Sequence, residues 1–162
     1  MLFRSIGAAI FREEKAAAEA KIQTLPTDSI YFYGSDIDKN AVALSQENAR
    51  RAEVAQYIRF KRENAFFQTP TAVADWTGLE RALILCNPPY GERLLSAEEA
   101  TEIYRKIGST FLTEKGTCKK GVRLSVISPD DTFEKAVGYK ADKRRKLYNG
   151  NIKCQLYHFY RL

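Results

Sequence analysis

A chain of 162 residues with 44% hydrophobic and 28% charged side chains has the composition of one ordinary globular domain. Such a length buries roughly two-thirds of the unfolded surface, and no run of about eighteen apolar residues occurs, which excludes a membrane-spanning helix. The formal charge of +6 is compatible with an anionic partner such as RNA, and equally with a mildly basic protein that binds none.

Residues 1–11 are too short and too interrupted for a signal peptide, and Met1 to Ser5 read as an arbitrary beginning. Residues 11–22, rich in Ala, Glu and Lys, predict a helix that Pro26 stops. The apolar and aromatic run 30–34 predicts a buried strand, followed by Asp36 and by Asp38, a good N-cap for a helix running to about Ala52. A second strand is expected at 58–62, then Asn64-Ala65 and a loop containing Pro70 and Trp76. The run 81–86 is continuous and apolar, as in a strand covered on both faces, and leads straight into Asn87-Pro88-Pro89-Tyr90-Gly91.

A helix follows over 97–112 with Ile103, Ile107 and Phe111 on one stripe, then a strand over 122–127 and a short helix over 131–137. Asn149-Gly150-Asn151 between two strand-like runs, 146–148 and 152–160, predicts a closing hairpin. This alternation gives an α/β fold with a mainly parallel sheet and a terminal antiparallel hairpin. Cys86, Cys118 and Cys154 lack metal-ligand spacing, and their odd number argues against a disulfide framework. A reducing cytoplasm suits them, and no metal site is expected.

Ligands of open α/β sheets bind beyond the carboxyl ends of the strands. Asp36 there has two readings, a ribose ligand or a local capping group; Asn64 reads either an adenine edge or simply a turn. Asn87-Pro88-Pro89-Tyr90 is the specific signal. An exocyclic base amine is a poor nucleophile because its lone pair is delocalised into the ring. Accepting both amine protons, on the Asn87 side-chain oxygen and on the Pro88 carbonyl, favours a more tetrahedral nitrogen. The prolines fix the backbone, and Tyr90 offers a face for stacking an unpaired base. No strong general base is needed, and His158 is the sole histidine.

The blocks 33–38, 87–94 and 143–150 together resemble the THUMP-domain-associated RNA guanine-N2 methyltransferases, nearest their bacterial 23S rRNA branch, over about residues 11–162. The resemblance implies a Rossmann-like class I methyltransferase sheet of seven strands that uses S-adenosyl-L-methionine. Carried over to this chain, it places Asp36, Ile37, Asn64, Ala65 and Asn87 at the cofactor, with Asp36 on the ribose. It places Asn87, Pro88, Pro89 and Tyr90 at the reacting amine, Tyr90 stacking on the base and Arg93 near substrate. Asn64 stands where the family often has Asp. The THUMP domain, the family's first strand and its glycine-rich loop have no counterpart, since Gly7 is the only glycine before Gly34.

Loss of a mid-sheet strand is expected to leave two neighbouring strands without a shared partner. The chain thus reads as a partial methyltransferase domain, 1–162, from a longer cytoplasmic protein acting on rRNA. Neighbouring readings are tRNA guanine-N2 or DNA adenine-N6 methylation, or a non-catalytic RNA-binding fragment gripping phosphate through Lys140 and residues 143–146. The bland reading of that basic run is a solvated strand face; Trp76, Tyr148, Tyr157 and Tyr160 are expected to pack, and oligomeric state is left open.

Overall fold

The computed structural model describes residues 7–21, 26, 30–89, 96–129 and 131–162. In chain order these form α1 (Ala8–Glu19), β1 (Phe32–Asp36), α2 (Lys39–Arg51), β2 (Ile58–Arg62), α3 (Pro70–Thr77) and β3 (Ala82–Cys86). There follow α4 (Ala97–Phe111), β4 (Val122–Ser128), α5 (Phe133–Val137), β5 (Lys143–Asn149) and β6 (Ile152–Phe159). The expected α/β order holds; β5 starts three residues before and α5 two residues after the expected position, and three other local differences bear on the site.

The first is α1, which starts three residues before the expected position and buries none of its side chains. The second is β1, whose parallel register, Phe32 against Ile58 through Asp36 against Arg62, carries the strand past residue 34, so Asp36 is its last residue. The third is α3, which forms where a loop was expected. Thr69 caps it by accepting from Ala72 N–H at 3.2 Å, Pro70 stands at its start, and Gly78 closes it at φ 69°. Proline at the first helical position lacks only an N–H that has no intrahelical partner there, so it begins this helix rather than breaking one.

The strands make two sheets. β1 and β2 pair in parallel, while the second sheet runs β3-β4-β6-β5, with β3 parallel to β4 and β6 antiparallel to both its neighbours. Among the described residues nothing pairs with the outer edge of β1 or of β3. The described residues thus form sheets of two and four strands, where the resemblance implies one sheet of seven.

One face of the four-stranded sheet holds the core. A capping box of Ser96 and Glu99 starts α4, and Tyr104, Ile107 and Phe111, spaced at three and four residues, turn one stripe onto Leu124, Val126, Tyr157 and Phe159. Tyr104 rather than Ile103 leads that stripe, because its hydroxyl meets Ser128 Oγ at 3.0 Å and so is not left unsatisfied when fully buried. Phe133 of α5 stacks edge-on against Tyr104 at 5.0 Å and packs on Tyr157 at 4.6 Å.

The β5–β6 hairpin turns at Gly150, whose φ of 60° is the positive value that the first central position of a type II′ turn needs. Two carboxylates tie it down. Glu134 of α5 pairs with Arg144 at 2.7 Å and accepts from Ala141 N–H at 2.8 Å. Asp142 accepts from Tyr160 and Arg161 N–H at 2.7 and 3.0 Å and pairs with the Arg161 guanidinium. Burial raises the Asp142 carboxyl, but those N–H bonds and that guanidinium outweigh it and hold the group below its usual range.

The other face is open at β3. β3 alternates, with Ala82, Ile84 and Cys86 turned to the core side and Leu83 and Leu85 left 67% and 66% exposed, so the expectation of a strand covered on both faces is not met. The continuous apolar run serves one packed face and one bare one. Urea denaturation followed by circular dichroism checks this asymmetry. Phe133→Ala is expected to cost about 3–5 kcal/mol, and Leu83→Ala less than about 0.5 kcal/mol; a comparable loss from both would mean that the second face is covered too.

Candidate active site

The carboxyl ends of β1 and β2 form one side of the site. Asp36 Oδ1 accepts from Asp38 N–H at 2.8 Å, and Asp38 Oδ1 in turn caps α2 by accepting from Asn40 N–H at 2.8 Å. The capping role read for Asp38 is therefore present. One Asp36 oxygen is committed to the turn, and its Oδ2 has no partner among the described residues. Arg62 Nε donates to the Ile37 carbonyl at 3.1 Å and so holds the ends of β1 and β2 together.

Beside this contact lies a cleft of about 360 Å³ lined by Ile37, Arg62, Glu63, Asn64 and Phe67. Asn64 uses Oδ1 to accept from Phe66 N–H at 2.9 Å, capping the 3-10 turn Ala65–Phe67, and its side-chain nitrogen has no partner among the described residues. Of the residues assigned to the cofactor, Ile37 and Asn64 line this cleft. Asp36 adjoins it through Ile37, and Ala65 is exposed in the turn without lining it. Phe67, 67% exposed at the cleft wall, was not foreseen from the sequence; an aromatic pair directly after a strand end was its only signal.

The second side lies at the other sheet. Asn87 follows β3 and is exposed, Pro88 is buried and Pro89 is exposed. Asn87 lines a separate cleft of about 270 Å³ with Ile127 of β4, Leu147 and Tyr148 of β5, and Cys154 of β6. Tyr90 and Arg93 lie outside the described residues. Trp76 packs as expected, edge-on to Tyr33 at 5.1 Å, and Tyr157 is core. Tyr148 and Tyr160 depart from the packing role, being 61% and 46% exposed. His158 meets Ser125 Oγ through Nδ1 at 2.8 Å, a structural pairing within the sheet. No cluster of three or more potential metal ligands occurs among the described residues, and none of their helices is long and apolar enough to cross a membrane.

A sheet of this topology, with polar groups gathered at the carboxyl ends of β1, β2 and β3, coincides with a family match. Residues 1–158 match the RMKL-like methyltransferase domain. The chain belongs to that family. It is 35% identical over 144 residues to the ribosomal RNA large subunit methyltransferase K/L of Legionella pneumophila (strain Lens), covering 89% of this chain and 19% of that protein. The chain thus spans about a fifth of the length of the curated relatives it matches.

Among solved structures, SMU.472 complexed with SAH superposes with a TM-score of 0.72 at 27% identity, over 99% of this chain and 39% of that one. A possible methylase from Clostridium difficile 630 gives 0.73 at 29%, with the same coverage. The RMKL-like chain therefore carries a class I methyltransferase fold in the part described.

Within that fold Cys86, immediately before Asn87, looks like a reactive group by position alone. Burial pushes its thiol up to about 11, so it stays protonated at neutral pH and is no nucleophile. Per-site mass spectrometry after iodoacetamide treatment is expected to show Cys86 reacting at least about tenfold slower than free cysteine at pH 7.5. Its rate should keep climbing with pH until about 11; a rate half-maximal near about 8.5 would show an exposed, unperturbed thiol.

Proposed function

We propose that this RMKL-like domain supplies the cofactor and target-base sites of an S-adenosyl-L-methionine-dependent methyltransferase acting on an exocyclic amine in RNA. Guanine N2 in large-subunit rRNA is the substrate we infer, which brings with it a cytoplasmic location. The observation that carries the reading is Asn87 standing exposed at the carboxyl end of β3, inside a cleft, with Pro88 buried behind it. Residues 1–162 are read as part of a catalytic domain within a longer protein, in keeping with the share of the relatives that they span.

The residues fit the cofactor by their donor and acceptor chemistry. Asp36 Oδ2 can accept from ribose hydroxyls, as a carboxylate at an early strand end does in dinucleotide sites. Ile37 and Phe67 offer apolar walls to an adenine, and the unpaired amide of Asn64 offers donors to its edge. The cofactor, when bound, supplies a methyl group carried on a sulfonium.

At the target, the Asn87 side-chain oxygen accepts one proton of the base amine and the Pro88 carbonyl the other, which draws the nitrogen lone pair out of ring conjugation. The resemblance assigns Tyr90 to stacking on the base and Arg93 to substrate contact. The excess amine proton leaves to solvent after transfer, so no buried base is required.

Isothermal titration of S-adenosylhomocysteine into the folded chain tests the cofactor half. Micromolar affinity is expected, weakened at least about tenfold in Asp36→Ala, of the order of a lost charge-assisted hydrogen bond. A folded chain that gives no binding heat overturns the assignment of residues 36–65. For the target half, Asn87→Ala in the full-length polypeptide is expected to lower methyl transfer to large-subunit rRNA at least about a hundredfold, the scale of losing one preorganised polar contact. Undiminished transfer would remove Asn87 from the reaction.

A further inference from the structure

The second cleft holds a residue with no assigned role. It is built where four neighbouring strands end together, Asn87 after β3, Ile127 near the end of β4, Leu147 and Tyr148 on β5, and Cys154 on β6. Three of these are apolar and account for themselves as walls. Tyr148 does not. Tyr104 and Tyr157 are 0% and 2% exposed and belong to the core, whereas Tyr148, one of the residues lining the cleft, is 61% exposed. A large aromatic side chain held in the open gains little from packing there and has its ring available to a ligand.

We infer that Tyr148 is a substrate-binding residue, a stacking platform for an unpaired purine base of single-stranded RNA whose amine is presented to Asn87 across the same cleft. This rests on the reading of Asn87 as the residue that holds the target amine.

The size of the cleft suits that ligand. About 270 Å³ falls just below the roughly 300–1,000 Å³ of pockets for drug-sized molecules, enough for one planar base and not for a base pair. The ring is also held in place. Lys146 and Tyr148 are two residues apart on β5 and share a face of the strand. Lys146 Nζ lies 5.2 Å from the Tyr148 ring centroid, a cation–π contact. A hydrogen bond from Lys146, its charge, and the charge of Lys153 hold the phenol below its usual range, against a smaller opposing effect of burial.

The surroundings favour a polyanion. Lys143, Arg145, Lys146 and Lys153 are all exposed on the hairpin, while Arg144 is engaged by Glu134. Phosphates flanking a base stacked on Tyr148 would meet these cations, and stacking on an aromatic face beside a basic track is how single strands are held without base pairing.

The test is equilibrium binding of this chain to a short oligouridine carrying one central guanosine, with the same oligonucleotide made abasic at that position as control. For Tyr148→Ala the expected loss of affinity for the guanosine RNA is about 5- to 150-fold, with little loss for the abasic RNA. Tyr148→Phe should stay within about twofold because the ring remains. Tyr148→Leu should behave like Tyr148→Ala, because bulk without an aromatic face does not stack. Lys146→Ala should reduce the salt dependence of binding by about one phosphate contact, and Tyr148→Ala should leave it unchanged.

If the abasic control and Asn87→Ala both weaken binding but Tyr148→Ala does not, the stacking role is overturned while the target-base reading stands. Recovery of full affinity in Tyr148→Leu overturns it too, since packing alone would then suffice. If neither the abasic control, Asn87→Ala nor Tyr148→Ala changes affinity, no base enters this cleft and both readings fall.

Discussion

The parallel pairing of β3 with β4, in register from Ala82 against Val122 to Cys86 against Val126, decides where the chemistry of this domain sits. It places residue 87 next to the last residues of β4, and Pro88, without an N–H to give a neighbouring strand, ends the ladder there. Asn87 is thereby turned out to solvent while the chain behind it is anchored. The same register stacks Ile84 and Cys86 beside Leu124 and Val126 over α4 and α5, so the burial that stabilises the sheet also fixes the position of the amide. β6 extends the frame through Ile127 against Leu156, and β5 through Leu147 against Cys154, which brings the hairpin to the same cleft.

The other half of the site hangs on a slighter support. β1 and β2 share no strand pairing with β3, and Phe66, in the turn after Asn64, packs against the main core. Lys106 Nζ of α4 lies 5.5 Å from that ring centroid. The turn that shapes the cleft beside Ile37 is thus also a link between the two sheets. Between them lie the bare edges of β1 and β3, with Phe32, Leu83 and Leu85 exposed nearby or along them. Unpaired edges flanked by apolar side chains are a known liability for association.

Much of this was legible residue by residue. β2 and the hairpin are local events, set by alternation and by Gly150; β2 and β6 fell where the sequence placed them, and β5 begins at Lys143, three residues before its expected start. α4 was recognisable from its apolar spacing, and the strand leading into Asn87 from its unbroken apolar run. The resemblance carried by residues 33–38, 87–94 and 143–150 agrees with the RMKL-like family match. What failed did so where a local signal has two meanings: Pro70 could stop a helix or start one, and only Thr69 and Gly78 around it settle which.

The sequence by itself determined the α/β class, the order of the elements apart from α3, the family and the place of Asn87 after an apolar strand, because these follow from short-range periodicity and from a rigid tetrapeptide. It could not say which face of β3 is covered, since an apolar run looks the same whether one side or both are packed. Nor could it separate Tyr148 from Tyr157, two hairpin tyrosines in similar company, one 61% exposed at a cleft and the other 2% exposed in the core. Strand order and register made that choice: pairing across β4, β6 and β5 fixes which face each residue takes and which strand ends meet, and those contacts lie far apart in the chain.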